Sequence, residues 1–510
     1  MLLIIILLLT LLKFTKWSVN PNPNRSFSLL ITSFSGVCVA VQLRKQLNIE
    51  SYTVFDENRD VGGTWLVNTY PGCACDIPSH LYSYSFEPNP NWSKVYSGQE
   101  EIWEYLRNVA KKYDVYANIK FNHRVISAEW DEKIGKWLVK VLDKPNNKEE
   151  IYIFDILISS AGALRVPNYP QQFEAFEGPK MHSAVWDSSI ELKDKVVAIV
   201  GSGASAVQII PEIVDKVKQL VVYQRNAAWV IPRTQFPFSS YTKWAFANIP
   251  GVQWSLRNLI FWSNEMYISA FGINTIMGKI AVMLGNYQLN RQVSDPELRE
   301  KLTPKYPLGC KRVTPSNEYY PALGKPNVTL ITSKITDVTK DSITNEDGTC
   351  VQPDVLILAT GFKVQDFFAP LNITSKGGED LLKKWKKEGP CAYMGIACHS
   401  TPNAFFILGP NTGLGHNSIV FTIECQVNWM IKVIEEMSKR NASVVSIKKS
   451  AEDEYMDSIL TSMKTTVWGT YDCGSWYADH RGVITALWPE SLVSYYNRTK
   501  DVNFSHMEFM

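Results

Sequence analysis

The sequence predicts an α/β fold that carries two Rossmann-like strand–helix–strand units and a helical insertion. Three observations predict it. An apolar strand at Leu29–Ile31 is followed by a helix at Val37–Leu47 and a second strand at Ser51–Phe55. The same order returns at Lys195–Val200, Ala204–Val214 and Gln219–Tyr223. Strand, helix, strand in that order is a βαβ unit with parallel strands. Between this second unit and the C-terminal third, residues 237–298 bear Trp, Phe, Ile and Met at helical spacing. That spacing predicts a helical insertion, and a helix packed on the core is the expected arrangement, ahead of one lining a cavity or touching a membrane.

The turn of the second unit reads Gly201-Ser-Gly203-Ala-Ser205-Ala206. It follows a strand and opens a helix, the context in which G-x-G-x-x-A binds a dinucleotide. The first glycine permits a tight turn, the second lets backbone approach a pyrophosphate, and Ala206 allows close helix–strand packing. The unpaired N–H groups of the helix start then face the phosphates. Arg225 lies beyond the next strand, 19 positions after Ala206. A guanidinium there suits a 2′-phosphate, so NADPH is expected over NADH.

The turn of the first unit reads Ile31-Thr-Ser33-Phe-Ser-Gly36, with only the third glycine of G-x-G-x-x-G in place. Asp56 still stands 20 positions after Gly36, where a ribose-binding acid belongs. Two short apolar runs that end on glycine, Ile156–Gly162 and Val355–Gly361, are expected to be strands where the chain crosses between domains.

Composition narrows the function classes. The chain has 510 residues, enough for two or three domains, and a net charge of +2, which argues against a nucleic-acid partner. Its nine cysteines are scattered, with no C-x-x-C and no histidine pair at ligand spacing, so reduced buried thiols and no metal site are expected. Met1–Leu12 is almost wholly aliphatic, shorter than the roughly 20 residues needed to span a bilayer, and is followed by Lys13, Lys16 and a Pro/Asn linker. Any membrane contact is expected only through residues 1–17; the expected location is cytoplasmic, or membrane-associated if that segment anchors.

The segment Phe176-Glu-Gly178-Pro-Lys-Met-His182-Ser-Ala-Val-Trp186-Asp187 resembles F-x-G-x-x-x-H-x-x-x-W-P/D, the fingerprint of type I Baeyer–Villiger monooxygenases, relatives of the flavin-containing monooxygenases. Other pieces agree in order. Gly62-Gly63-Thr64-Trp65 resembles a second FAD-contacting segment, and Tyr70–Asp76 the stretch that holds an active-site aspartate; Tyr82 is grouped with the cofactor contacts. Gly309-Cys-Lys311-Arg312 resembles the segment holding an NADP-binding lysine and the catalytic arginine. Ala359-Thr360-Gly361 matches the linker of the wider family, and Ser475-Trp476 a C-terminal segment whose tryptophan contacts NADP or substrate. Phe34-Ser35-Gly36 matches the end of the family's FAD loop, which restores the first unit as a flavin site.

The resemblance, closest to fungal members, implies an FAD domain split in sequence over residues 28–160 and 361–510, with an NADPH domain inserted at 161–360. Residues 1–27 precede it as an apolar segment and linker. It implies Baeyer–Villiger oxidation of a ketone, or another apolar organic substrate, by O2 through a flavin C4a-peroxide. Arg312 would supply a permanent positive charge beside the oxidant, and Asp76 would hold that arginine. Lys311 and Arg225 would clamp the 2′-phosphate, while His182 and Trp186 support the linker. Ile31 and Ser33 in place of two glycines leave two readings open: a wrongly joined exon upstream, or a variant with weakened flavin binding. Three rival functions also stand at this point: an N- or S-oxygenating flavin monooxygenase, an NADPH-dependent disulfide reductase, and a non-catalytic remnant that has lost FAD. The reductase is disfavoured because it needs a redox cysteine pair of the C-x-x-C kind.

Overall fold

A computed structural model describes residues 25–30 and 32–510; the apolar start, the linker through Asn24 and Ile31 lie outside the described residues. Two five-stranded, all-parallel sheets organise the chain. The first uses β1 (Phe27–Leu30), β2 (Tyr52–Asp56), β3 (Ile119–Phe121) and β4 (Ile156–Ser159). The second uses β5 (Lys180–His182), β6 (Val196–Val200), β7 (Gln219–Tyr223), β8 (Val328–Ile331) and β9 (Val355–Leu358). A last strand, β10 (Ala404–Phe406), returns to the first sheet beside β4. The spatial orders are β10-β4-β1-β2-β3 and β8-β7-β6-β9-β5. β1, β4, β9 and β10 are buried at every position, the pattern of parallel strands covered on both faces.

Helix α1 (Phe34–Leu47) crosses from β1 to β2, and α2 (Ala204–Ile213) from β6 to β7. The helix Ile419–Lys439 packs on α1, joining the C-terminal part to the first unit through Val420, Ile423, Val427 and Ile434. An antiparallel sheet of His123–Asp131, Lys136–Asp143 and Lys148–Phe154 is extended by Asn372–Thr374. Trp130 and Trp137 bury against Phe55, Leu157 and Phe406 there.

Both βαβ units stand where the sequence placed them, with shifted ends. β1 runs from Phe27 to Leu30 rather than from Leu29, and α1 begins at Phe34, three residues early. Ser33 causes the second shift: its hydroxyl accepts the Ser35 N–H and caps the helix.

The insertion is helical, as α3 (Ser240–Asn248), α4 (Val252–Met266) and α5 (Ile276–Gln292). Part of its apolar surface packs on the core, as expected: Ile260 and Phe261 of α4 and Ala281, Val282 and Leu289 of α5; the rest stays exposed. α3 buries no residue, α4 only Glu265, and α5 only Gly285, Gln288 and Leu289. On the inward side of α5, beside those apolar contacts, Gly285 lies on the Trp229 ring and Gln288 donates to the Ser316 carbonyl. Among the described residues no helix is long and apolar enough to cross a membrane.

Candidate dinucleotide and catalytic site

The turn between β6 and α2 is shaped as a phosphate cradle. Gly201 has φ +123° and passes so close to the Ala359 carbonyl that any side chain would collide with it. Gly203 caps α2 without a side-chain hydrogen bond, and a Cβ built on it would meet nothing. The first amides of α2 therefore face open space, which fits an anion. Ser205 is partly exposed in that first turn, and Ala206 is buried against the sheet.

Arg225 is exposed just past β7, and Lys311 stands near enough that the like charge, after burial, lowers its pKa. Neither makes an ion pair among the described residues; Lys311 rests 5.0 Å over the Tyr306 ring. Two neighbouring cations with no carboxylate between them fit a phosphate dianion.

The first unit is built differently. Asp56 ends β2 fully buried. One of its oxygens accepts from the Thr32 amide at 2.8 Å and the Thr32 hydroxyl, the other from the Asn58 amide and side chain at 2.9 Å. Burial raises its pKa above the usual carboxylate value despite those bonds. Gly36 is buried in the first turn of α1, and the amides of Phe34 and Gly36 have no acceptor among the described residues. Gly62 donates to the Thr32 carbonyl at 2.7 Å, bringing Gly62-Gly63-Thr64-Trp65 over the loop. Trp65 is buried and donates to the Tyr82 hydroxyl at 3.1 Å. Apart from Asp56, whose buried oxygens are engaged by Thr32 and Asn58 rather than open to a ribose hydroxyl, these features fit a second dinucleotide. Ser33 is the misfit, a side chain where the resembled loop has glycine; beside it Gly63, at φ +53°, admits none, since a Cβ there would stand 2.8 Å from the Ser33 Cβ.

Between the two units, Arg312 and Asp76 form a bidentate pair. Nε donates to one carboxylate oxygen at 2.9 Å and Nη2 to the other at 2.8 Å. Nη1 donates to the Leu414 carbonyl at 2.8 Å. Three chain segments thus meet at one guanidinium: the stretch after the first unit, the segment that follows the insertion and the C-terminal part. The Asp76 carboxylate raises the Arg312 pKa further, against burial. The Arg312 side chain is still 29% exposed, so part of it remains open to a ligand. Tyr70 donates to Gln208 of α2 at 2.9 Å, and Gln208 donates to the Ala74 carbonyl at 2.9 Å, which fixes the Asp76 segment to the second unit.

The fingerprint residues gather at the crossing strands. Phe176 is buried on the second sheet with its ring over Gly178. His182 ends β5 fully buried, its Nδ1 accepting from the Ala184 amide at 3.0 Å, with its ring beside Tyr169 and Phe362. Burial lowers its pKa to about 4. Thr360 donates to the Asn168 carbonyl at 2.6 Å and the Asn168 amide donates to Gly361 at 2.8 Å. Trp186 packs partly on the second core. Asp187 is exposed and accepts from Ser189 at 2.6 Å. Trp476 is 44% exposed, while its neighbour Tyr477 is buried close enough to Arg312 to feel its charge.

Cys310 and Cys473 form a disulfide across 163 residues, correcting the expectation that all nine cysteines are reduced. Nothing in their spacing signals it, because the partners come together only when the C-terminal part folds over the Arg312 segment. Sequence reading also missed Tyr477, the Leu414 carbonyl and Gln208. A backbone carbonyl carries no residue signature, but Gln208 lies one helical turn beyond Ala204 and Ser205, on the helix that presents them. Among the described residues no cluster could hold a metal ion.

Residues 35–249 match the flavin-binding monooxygenase-like family. A Baeyer–Villiger monooxygenase of Pseudomonas aeruginosa is 36% identical over 465 residues, covering 91% of this chain and 87% of that protein. One from Streptomyces coelicolor is 34% identical, over 94% of this chain and 91% of its own length. An FAD-binding monooxygenase of Aspergillus niger is 34% identical over 92% of this chain and 79% of its own. Among solved structures, cyclohexanone monooxygenase from Rhodococcus sp. Phi1 bound to NADP+ superposes with TM-score 0.84 at 24% identity, covering 95% of this chain and 99% of that one.

Proposed function

The chain belongs to the flavin-binding monooxygenase-like family, in its Baeyer–Villiger branch, and from that premise we propose that it inserts one oxygen atom of O2 into a ketone, giving an ester or lactone. The observation that carries this reading is the Arg312–Asp76 pair between two dinucleotide-shaped turns.

FAD held at the first unit would supply the oxidising chemistry and NADPH held at the second the reducing equivalents. The residues do the rest. The first amides of α2 receive the pyrophosphate of NADPH, and Arg225 and Lys311 receive its 2′-phosphate. Gly36, Gly62, Gly63, Thr64, Trp65 and Tyr82 would hold the flavin nucleotide, with Asp56 at the strand end orienting Thr32. Arg312 carries a charge that cannot be lost at any working pH, so it stabilises negative charge that develops on oxygen during attack on the carbonyl. Asp76 holds the guanidinium plane by two parallel bonds, and their pairing limits the cost of burying either charge. His182, Phe176, Gly178, Trp186 and Asp187 position the crossing strands with Thr360 and Gly361, and Trp476 borders the NADPH side. The boundaries follow: residues 28–160 and 361–510 form the flavin domain, and 161–360 the NADPH domain with its insertion near 237–298.

The test is product analysis with Arg312→Ala. The variant is expected to retain flavin reduction by NADPH while ester formation falls about 10²–10³-fold, the cost of removing one preorganised group for a developing oxyanion. Ester formed at the parent rate would refute the role of Arg312.

A further inference from the structure

We propose that the outward face of α5, with the exposed aromatic side chains of α3 and α4, docks this protein onto an anionic phospholipid surface. Ile276, Ile280, Met283, Leu284 and Tyr287 are all exposed, Ile276 by 78%. They recur at i, i+4, i+7, i+8 and i+11, a single stripe of the helix. In a globular protein such a stripe normally turns to the core; here a different side, with Ala281, Val282, Gly285, Gln288 and Leu289, does so. Trp244, Trp254, Leu259, Met266 and Tyr241 extend the apolar exposure on α3 and α4, with Tyr241 80% exposed. α3 packs on α4, and both α4 and α5 pack on the short turn Tyr267–Phe271 between them, so the three helices form one neighbourhood.

Charge selects the occupant. From Phe236 to Ser294 the sequence holds one carboxylate, Glu265. It is buried, accepting from Asn417 at 2.8 Å and standing 3.4 Å from His416. Lys279 in the first turn of the stripe and Arg291 in its last are exposed and unpaired among the described residues. A second copy of this chain would bring cations but no exposed carboxylate of this segment to meet them. A bilayer bearing phosphatidylserine offers acyl chains to the stripe, headgroup phosphates to Lys279 and Arg291, and an interface that Trp and Tyr favour. No described helix is long and apolar enough to cross, so α5 would lie in the plane of the surface.

The experiment is sedimentation of the full-length protein with vesicles of phosphatidylcholine alone and mixed with phosphatidylserine. The parent is expected to bind the mixed vesicles preferentially, and less at high salt. Met283→Glu/Leu284→Glu and, separately, Lys279→Glu are expected to lower the partition coefficient by about tenfold each, with an unchanged circular dichroism spectrum. These side chains lie on the surface and outside the proposed catalytic and nucleotide contacts. Three results would overturn the proposal. The parent could fail to bind. The variants could bind like the parent, which would place the contact elsewhere in the chain. Or the parent could be a dimer that Met283→Glu/Leu284→Glu converts to monomer, which would make this face a contact between copies.

Discussion

Arg225 and Lys311 show how much a single side chain can decide. The dinucleotide turn itself accepts either nicotinamide cofactor, because its amides meet a pyrophosphate common to both. Only the 2′-phosphate separates them, and in the proposed site Arg225 and Lys311, neighbouring cations outside any ion pair among the described residues, would meet it. Arg225→Ala is expected to raise KM for NADPH about tenfold or more and to leave NADH nearly unchanged, since one charge-assisted bond to phosphate contributes roughly 1.5–3 kcal/mol. Steady-state kinetics with both cofactors measures it, and an unaltered preference would remove Arg225 from the 2′-phosphate site. Arg312 makes the complementary point. Its value lies in being held: the two bonds to Asp76 and the third to Leu414 leave it no freedom to follow a retreating substrate.

The first strand–helix–strand element works against itself at one position. Ser33 stabilises the start of α1 by capping it, and the same side chain stands where the resembled loop carries a glycine that lets backbone approach a flavin pyrophosphate. Glycine at a cap costs only a few tenths of a kcal/mol relative to serine. Ser33→Gly is therefore expected to raise the flavin content of purified protein with little change in thermal stability. The ratio of flavin to protein absorbance after gel filtration reports the outcome; equal flavin content in both proteins would show that Ser33 does not limit binding. The second element has no such conflict, because Gly203 leaves its helix start uncapped and open.

Across the whole molecule, the two sheets are joined where the chain crosses between them, and His182 is buried at that crossing with its pKa lowered to about 4. The unfolded chain, with an ordinary histidine, takes up the proton first as pH falls. Stability from this residue is complete above pH 6.5 and is lost progressively between 6.5 and about 4. The full shift corresponds to about 3 kcal/mol. His182→Gln is expected to flatten the decline of denaturant-measured stability over that window, leaving the part due to His80, whose pKa is lowered to about 4 as well. A decline as steep as in the parent would show that His182 does not gate acid sensitivity.

The periodicity of the chain was sufficient to place both βαβ units, because strand and helix periods are local properties that survive without tertiary context. The Gly201–Ala206 turn was legible for the same reason, and the fingerprint from Phe176 to Asp187 together with Arg312 and Asp76 was legible as a resemblance. What only the tertiary structure decided are relations between distant segments. Asp76 and Arg312 lie 236 positions apart and meet in two hydrogen bonds. Cys310 finds Cys473, and Leu414 lends its carbonyl. The direction of α5 belongs here too. Its apolar stripe predicts burial, yet the core side is taken by Trp229 and Ser316, which accept Gly285 and Gln288. A helix turns toward the core whichever face fits the surface already there, and that surface is assembled from parts of the chain the helix's own sequence does not contain.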